Sequence, residues 1–259
     1  MFNIFYPVWV FGSAAQEFPC VAGCAFAQSI RYESARKVPN ASRKISEICA
    51  GISTGLEALL RAGFHIASFS WADINPDAHV ATANRLRLLH ARYPAQFPPA
   101  ASIGWDSRLP FNANSLGPSV LSNFPKGIDL VIAGPPCQPY SFAGKHKGFK
   151  DPRSRALLNT ARLIQTLDKT QPGGVGYIIE NVPGTENHPE VAALLGPPAP
   201  LDAPPCGSGA QRDTLFWQNL AALPDIMAAF NALPKPTTSV NDRLQAAGLT
   251  EWRTQRMIP

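Results

Sequence analysis

The chain has 259 residues, a mass of 27.9 kDa and 45% hydrophobic residues, which allows one substantial hydrophobic core and excludes a wholly disordered chain. Its net charge of +5 and its pI near 9.1 favour a polyanionic partner but identify none. Five cysteines, an odd number, fit a reducing compartment better than a disulfide scaffold, and no apolar run is long enough to span a membrane, so we expect an intracellular protein without membrane contact.

Residues 1–43 share no pattern with the rest of the chain, and we treat them as an extension of unknown role. Their first stretch, MFNIFYPVWVFGSAA, is apolar but carries no basic residue at its start, which disfavours a secretory signal. Cys20 and Cys24 have no second pair of ligands at zinc-site spacing, so we expect no metal site. One domain is expected over 44–223, followed by a short final segment over 224–259.

From Lys44 onward, stretches with strand and helix patterns alternate. The predicted strands are ISEICAG, HIASFSWADI, IDLVIAG, VGYIIENV and TLFWQNL, and the predicted helices are LEALLRAGF, HVATANRLRLLHARY, SRALLNTARLIQTLDK and HPEVAALLG. Two stretches, from Pro94 to Pro125 and around GPPAPLDAPP, are expected to be loops because they are rich in proline. The alternation predicts an α/β fold with a doubly wound, mainly parallel sheet, in which ligands bind at the carboxyl ends of the strands.

The loop CAGISTG follows the first predicted strand and contains Gly51 and Gly55. The second predicted strand ends at Asp73, about twenty residues further on, and this arrangement suits a nucleoside cofactor because an acid there can bind the ribose hydroxyls. The loop is not a GxGxxG motif, so a dinucleotide is not implied. Many α/β proteins have a glycine turn before a helix and bind no ligand there.

The loop GPPCQPYS follows the third predicted strand and holds Cys137 on a stiff corner. Two prolines fix φ and remove two backbone donors, so a thiol there is held in one place, as a nucleophile needs to be. Its reactivity would depend on the thiolate fraction, which nearby positive charge raises. The alternative is a buried structural cysteine beside a turn.

The loop ENVPG follows the fourth predicted strand, YIIENV, which ends at Glu180. Burial at the end of an apolar strand would raise the pKa of this carboxyl and let it hold a proton near neutrality. Asn181 beside it could lock the loop by bonding to the backbone. The alternative role for Glu180 is to cap the following turn.

In chain order, these loops resemble the motifs of the C5-cytosine methyltransferases, from about Ile45 to Leu220. GPPCQ followed by ENV is a specific pair, and DPRSRALLNTARLIQTL resembles the helix that lies between those two motifs. CAGISTGLEALLRAGF and the ending FWQNL are similar to the eukaryotic de novo DNA methyltransferases in particular. The resemblance implies the Rossmann-like fold of the S-adenosylmethionine-dependent methyltransferases.

The resemblance also implies methylation of cytosine at C5, with S-adenosylmethionine as the cofactor. Cys137 would attack C6 of the ring, Glu180 would contact N3 and the exocyclic amine, and Arg212 would belong to the arginine motif of the catalytic site. A cytosine in double-stranded DNA would have to be flipped out of the stack to be reached.

Two larger groups of residues follow from the same resemblance. The residues expected to bind the cofactor are Ala50, Gly51, Ile52, Ser53, Thr54, Asp73, Ile74 and Asp106. Among them, Asp73 would take the ribose hydroxyls, Ile74 would lie against adenine and Asp106 would meet the adenine amine. The residues expected to contact nucleic acid are Gln138, Ser141, Lys145, Lys147, Arg153 and Thr214. Lys145, Lys147 and Arg153 all lie in the basic stretch GKHKGFKDPRSR, which suits phosphate contacts but is also an ordinary composition for a solvated loop.

Two features depart from the family pattern. Aligned through FWQNL, Arg212 matches the first arginine of its motif, but Thr214 stands where the second would be, so a contact to the target ring would lose charge assistance. The final family motif has no counterpart, and 224–259 resembles a remnant of the target-recognition region. We therefore expect an incomplete or truncated relative, with an enzyme completed by a second chain as an alternative.

Three functions remain open from the sequence. The leading hypothesis is a DNA cytosine C5-methyltransferase. The tRNA-methylating branch shares PPCQP and ENV, so GPPCQPYS does not exclude it. The third is a catalytically inactive domain that binds nucleic acid or a partner enzyme, which Thr214 supports and which the presence of Cys137 and Glu180 opposes.

Overall fold

A computed structural model describes residues 42–104, 113, 124–140, 150–202 and 213–231. The strands in these ranges are β1 (Arg43–Ile48), β2 (Ile66–Ala72), β3 (Ser102–Gly104), β4 (Leu130–Ala133), β5 (Gly176–Asn181), β6 (Ala199–Asp202) and β7 (Asp213–Gln218). The α-helices are α1 (Thr54–Arg61), α2 (Pro76–Arg92), α3 (Arg155–Thr170), α4 (Pro189–Leu195) and α5 (Leu223–Asn231).

The seven strands form one sheet in the order β3-β2-β1-β4-β5-β7-β6. Within the part of the sheet that reads β3-β2-β1-β4-β5, all neighbouring strands are parallel. In contrast, β7 runs antiparallel to both β5 and β6. This confirms the predicted α/β fold with a doubly wound, mainly parallel sheet. The chain order reverses between β1 and β4, and the crevice outside the carboxyl ends of such strands is where ligands of open α/β sheets bind.

Helices cover both faces of the sheet. Alternate residues of each central strand point to opposite sides, and both sets are apolar, so both faces need helices packed against them. On one face, Leu130 of β4 belongs to a buried cluster with residues of α1 and α2. On the other face, Val131 of the same strand belongs to a cluster with residues of α3 and α4. The central strands are therefore apolar almost throughout, as the sequence indicates for IDLVIAG and YIIENV.

All five predicted strands and all four predicted helices are present in the structure. Two additional strands, β3 and β6, lie inside stretches that the sequence indicates to be loops. Both are short edge strands that depend on pairing with a neighbour, and an edge position tolerates Pro200 of β6. The helix α5 was also not predicted, and its Ile226 packs against Ala199 and Leu201 of β6. The domain boundaries at 44 and 223 stay predictions.

No helix in the described part of the chain combines the length and apolar character that a membrane crossing requires.

Candidate active site

The turn between β1 and α1 has an uncommon backbone conformation. The φ angles of Cys49, Gly51 and Ser53 are 54°, 55° and 55°, and two of these residues are not glycine. Non-glycine residues adopt positive φ only where surrounding contacts stabilise it. The N–H of Ala50 donates to the carbonyl of Ala72 at 3.1 Å, which ties the turn to the carboxyl end of β2.

Asp73, the first residue after β2, also holds this turn. The N–H of Gly51 donates to Asp73 Oδ2 at 2.9 Å, and the N–H of Asn75 donates to Oδ1 at 2.8 Å. From α2, the hydroxyl of Thr82 donates to the carbonyl of Gly51 at 2.7 Å. A carboxylate offers about four lone-pair sites, so Asp73 has acceptor capacity beyond these two bonds. The structure thus brings Asp73 against the turn Ala50–Thr54.

Ile74 follows Asp73 and is 64% exposed, so an apolar surface lies next to the carboxylate. This is the environment that a purine ring beside a ribose would need. Asp106, the remaining residue expected to bind the cofactor, lies outside the described residues.

Glu47 is a residue of this region that the sequence analysis missed. It lies in β1 and is only 4% exposed, and its Oε1 accepts the N–H of Gly55 at 3.2 Å. Burial raises the pKa of Glu47 to about 7, although backbone N–H groups of the helix and the charge of Arg85 oppose that rise. A signal was present in the sequence, since an acidic residue interrupts the apolar strand ISEICAG just before the turn.

Gly55 allows this close contact between strand and helix. A Cβ at Gly55 would lie 3.0 Å from Glu47 Oε1 and 2.9 Å from Cγ2 of Ile132. Glycine is therefore required here by space rather than by backbone angle.

The corner that carries Cys137 follows β4 without helix or strand structure. The N–H of Tyr140 donates to the carbonyl of Cys137 at 2.9 Å, which closes a tight turn over Cys137–Tyr140. Cys137 is partly exposed. The role of Cys137 as a nucleophile stays a prediction, as does the alternative of a buried structural cysteine beside a turn.

Cys49 offers a contrast within the same sheet edge. The residue keeps some exposed surface, but its sulfur lies deep, and desolvation together with the charge of Asp73 raises its pKa to about 12. A thiol in that environment remains protonated at neutral pH and is a poor nucleophile.

Glu180 lies near the end of β5, and its register places it beside Gly134, since Ala133 pairs with Ile179. Its Oε2 lies 3.8 Å from the position that a Cβ on Gly134 would take. Gly134 is the first residue of the segment Gly134–Cys137, which follows β4 and ends at the thiol. The structure therefore brings the Glu180 carboxyl to the segment that bears the thiol.

Asn181 is fully buried and joins the two loops. Its Nδ2 donates to the carbonyl of Pro135 at 3.3 Å. Its Oδ1 accepts the N–H of Val182 at 2.9 Å and the hydroxyl of Thr185 at 3.1 Å. This is the locking role expected for Asn181, and it fixes the Cys137 corner against the end of β5.

Thr214 lies in β7, two positions before Phe216, which pairs with Glu180. Residues two apart in a strand point to the same face, so Thr214 lies on the side of the sheet to which Glu180 points. Four other residues expected to act in catalysis or nucleic-acid binding lie outside the described residues: Arg212, Ser141, Lys145 and Lys147.

Arg153 is held by Asp151, a carboxylate that is only 7% exposed. Arg153 Nε donates to Asp151 Oδ1 at 3.0 Å and its terminal nitrogen donates to Oδ2 at 2.6 Å, while half of the arginine side chain is exposed. The hydrogen bonds to Asp151 are the main cause that raises the pKa of Arg153, and the charges of Asp151 and of a Cys137 thiolate add to it. An oriented cation therefore lies close enough to Cys137 for a charge interaction with its thiolate. Gln138, the residue after Cys137, is partly buried.

Residues 110–195, which include both Cys137 and Glu180, match the family described as C-5 cytosine-specific DNA methylase. The segment that holds both motifs thus matches the C5-cytosine methyltransferases. Its GPPCQ and ENV motifs are thus the two that the structure brings together through Asn181.

Several proteins are similar to this chain. The type II methyltransferase M.AquIA of a Picosynechococcus strain is 34% identical over 133 residues, which cover 51% of this chain and 47% of M.AquIA. The tRNA (cytosine(38)-C(5))-methyltransferase of Spodoptera frugiperda is 29% identical over 148 residues, which cover 56% of this chain and 37% of that enzyme. The matched residues thus span less than half of the length of these two relatives.

Among solved structures, the Entamoeba histolytica methyltransferase EhMeth is similar with a TM-score of 0.46 at 19% identity, over 70% of this chain and 54% of EhMeth. The expected closeness to the eukaryotic de novo enzymes within the C5-cytosine methyltransferase family stays a prediction, as do the roles of the individual site residues.

Proposed function

We propose that this protein transfers a methyl group from S-adenosylmethionine to C5 of cytosine in DNA, through a covalent bond between Cys137 and C6 of the ring. One observation carries the proposal: the Cys137 corner and the strand end of Glu180 are joined by the Asn181 amide at the carboxyl edge of the sheet. A nucleophile and a carboxyl group at one edge, beside the glycine turn, are the groups that this reaction needs.

Cys137 is the proposed nucleophile because it is partly exposed on a stiff corner and its thiolate interacts electrostatically with Arg153. A thiolate is the attacking form, and a neighbouring guanidinium favours it. The thiolate sulfur forms a bond to C6, and the electron pair of the C5–C6 double bond moves to C5, which takes the methyl group. Loss of the C5 proton to a base and cleavage of the S–C6 bond then restore the ring and the thiolate.

Glu180 is proposed to bind N3 and the exocyclic amine of the target cytosine. During attack at C6, negative charge builds up on the ring, and a carboxyl proton shared with N3 would stabilise it. The absence of a side chain at Gly134 leaves room for the carboxyl next to the nucleophile segment. Thr214 is proposed to lie near the same ring, since it points to the same face of the sheet.

The residues of the first turn fit the cofactor. Gly51 gives the turn a positive φ at the switch point and is held by Asp73. Asp73 has spare acceptor capacity for ribose hydroxyls, and Ile74 offers an exposed apolar side chain to adenine. When bound, S-adenosylmethionine supplies the methyl group from a positively charged sulfonium. The protein's contribution is to place that group above the reactive carbon.

DNA is the proposed substrate because the matching family is described as cytosine-specific DNA methylase. Arg153 is half exposed and oriented by a buried carboxylate, and the net charge of +5 also suits a phosphate backbone. A target in duplex DNA would be flipped out of the stack. tRNA is the second candidate, since a tRNA C5-methyltransferase is among the similar proteins.

Trapping with 5-fluorocytosine tests the proposal, because fluorine at C5 prevents the final elimination. The protein is incubated with S-adenosylmethionine and either a duplex DNA or a tRNA transcript that contains the analogue, and covalent complexes are resolved by denaturing electrophoresis. We expect a complex with DNA for the wild type and none for Cys137→Ser. Cys49→Ser, which removes the deep thiol, serves as the matched control and should still form it.

Other outcomes separate the alternatives. A complex with tRNA alone would assign the protein to the tRNA-methylating branch. Cofactor binding without any covalent complex, also after addition of a cell extract that could supply a second chain, would indicate an inactive domain and would refute the proposal.

A further inference from the structure

Glu47 is a buried carboxylic acid with an unusual structural position. Its partners in the neighbouring strands are Trp71 of β2 and Ile132 of β4, so it lies in the middle of the sheet under α1. The N-cap residue of α1, Ser53, makes no capping hydrogen bond with its own side chain. Instead, Glu47 Oε1 accepts the N–H of Gly55 in the first turn of the helix. A strand residue thus caps α1, the helix that follows the turn Ala50–Thr54, which we call the cofactor turn.

The surroundings of Glu47 leave polar groups unpaired. Among the described residues, Glu47 Oε2, the Ser53 hydroxyl and the indole N–H of Trp71 are buried without a hydrogen-bond partner. The Ser53 hydroxyl comes near enough to lower the pKa of Glu47, but no hydrogen bond of normal geometry joins them. A buried carboxylate with an unpaired oxygen is unfavourable unless a positive charge comes close.

The charged groups around Glu47 come from both helices on this face. Arg85 of α2 lowers the pKa of Glu47, but its guanidinium is bound to Glu57 of α1, which Arg61 also contacts. On the far side of the turn, Asp73 holds Gly51. Two further titratable groups in that neighbourhood are the Cys49 thiol and the His79 ring, which contacts the Asp73 carbonyl. The cation that acts on Glu47, Arg85, is therefore shared with Glu57.

We propose that Glu47 is a positioning residue that holds the cofactor turn and whose ionisation distinguishes the positively charged methyl donor from its uncharged product. The inference rests on the proposed function, because it assumes that S-adenosylmethionine binds over the turn Ala50–Thr54. A sulfonium bound at this turn would be attracted by the ionised carboxylate of Glu47, which holds the first turn of α1, through a medium of low polarity. The donor therefore binds better when Glu47 is ionised, whereas S-adenosylhomocysteine, a neutral thioether, lacks this preference.

The size of the effect follows from linkage. Burial places the pKa of Glu47 at about 7, so the carboxyl is mostly protonated at about pH 6 and mostly ionised at about pH 8.5. If only the ionised form binds the donor well, affinity rises about tenfold over this range. The α-amino and carboxylate groups are common to both ligands, so the difference between the ligands isolates the sulfonium.

Titration calorimetry tests the inference. S-adenosylmethionine and S-adenosylhomocysteine are titrated into the wild-type protein at about pH 6 and about pH 8.5. We expect affinity for the donor to rise about tenfold and affinity for the product to change less than about twofold. Near neutral pH, repeating the titration in buffers of different protonation enthalpy should reveal proton release with the donor alone, and this measurement needs no variant.

Glu47→Gln keeps an acceptor for Gly55 but removes the charge, and it should make donor affinity independent of pH. Asp168→Asn is the matched control, since Asp168 accepts the N–H of Val175, the residue immediately before β5, and should leave the pH dependence intact. Equal pH dependence for both ligands, or its persistence in Glu47→Gln, would overturn the inference. Absence of binding of either ligand to the wild type at both pH values would instead refute the proposed cofactor.

Discussion

The stability of the protein should depend on pH through Glu47, and Glu47→Gln isolates that dependence. The pKa of Glu47 is raised from 4.5 to about 7 in the folded state, chiefly by desolvation. A raised carboxyl pKa means that the folded protein binds a proton that the unfolded chain has lost. Its contribution to stability is therefore fully present below about pH 4.5, falls as the pH rises towards 7 and is constant above that.

The magnitude follows from the same values. Each unit of difference in pKa corresponds to about 1.4 kcal/mol, so between about pH 5 and about pH 8 the wild type should lose about 2.5 kcal/mol through this group. Glu47→Gln cannot titrate at this position and should lack that loss. All other groups titrate alike in both proteins, so the difference between their curves reports Glu47.

Urea denaturation followed by tryptophan fluorescence measures this difference, since Trp71 pairs with Glu47 in the sheet. The free energy of unfolding is determined for both proteins at about pH 5, 6, 7 and 8 where unfolding is reversible and two-state. We expect the free energy of unfolding of Glu47→Gln to increase relative to that of the wild type as the pH rises. Parallel curves would show that Glu47 ionises normally and would refute the reasoning from its burial.

Three further substitutions test the contacts of the site. Gly55→Ala should destabilise the protein by about 1–3 kcal/mol in thermal unfolding, because the new methyl group overlaps Ile132 at 2.9 Å; an unchanged melting temperature would contradict this. Asn181→Ala should cost about 1–3 kcal/mol and abolish covalent trapping, since a buried carbonyl in the nucleophile corner loses its donor; full trapping would contradict the role of this amide. Arg153→Gln should raise the pH at which the alkylation rate of Cys137 is half-maximal, and Arg153→Lys should raise it less. Alkylation is measured by peptide mass spectrometry as a function of pH. Identical pH profiles for the wild type and both variants would exclude an effect of Arg153 on the thiol.

The alternation of strands and helices could be predicted because periodicity is a local property. Strands such as YIIENV are apolar throughout, as strands buried on both faces must be. The edge strands β3 and β6 could not be found in this way, since three or four residues carry no periodic signal and β6 also contains a proline. The antiparallel direction of β7 could not be predicted either, because the residue pattern of a strand does not indicate in which direction it pairs with its neighbours.

Within the candidate site, the sequence by itself determined which loops are candidates to carry chemistry. A thiol after two prolines, a carboxyl at the end of an apolar strand and a glycine turn before a helix are local patterns. Only the tertiary structure decided which groups meet: Asn181 with Pro135, Asp73 with Gly51, and Glu47 with Gly55. The first two contacts join distant parts of the chain, and all three depend on strand order and register, which the packing of both faces of the sheet determines.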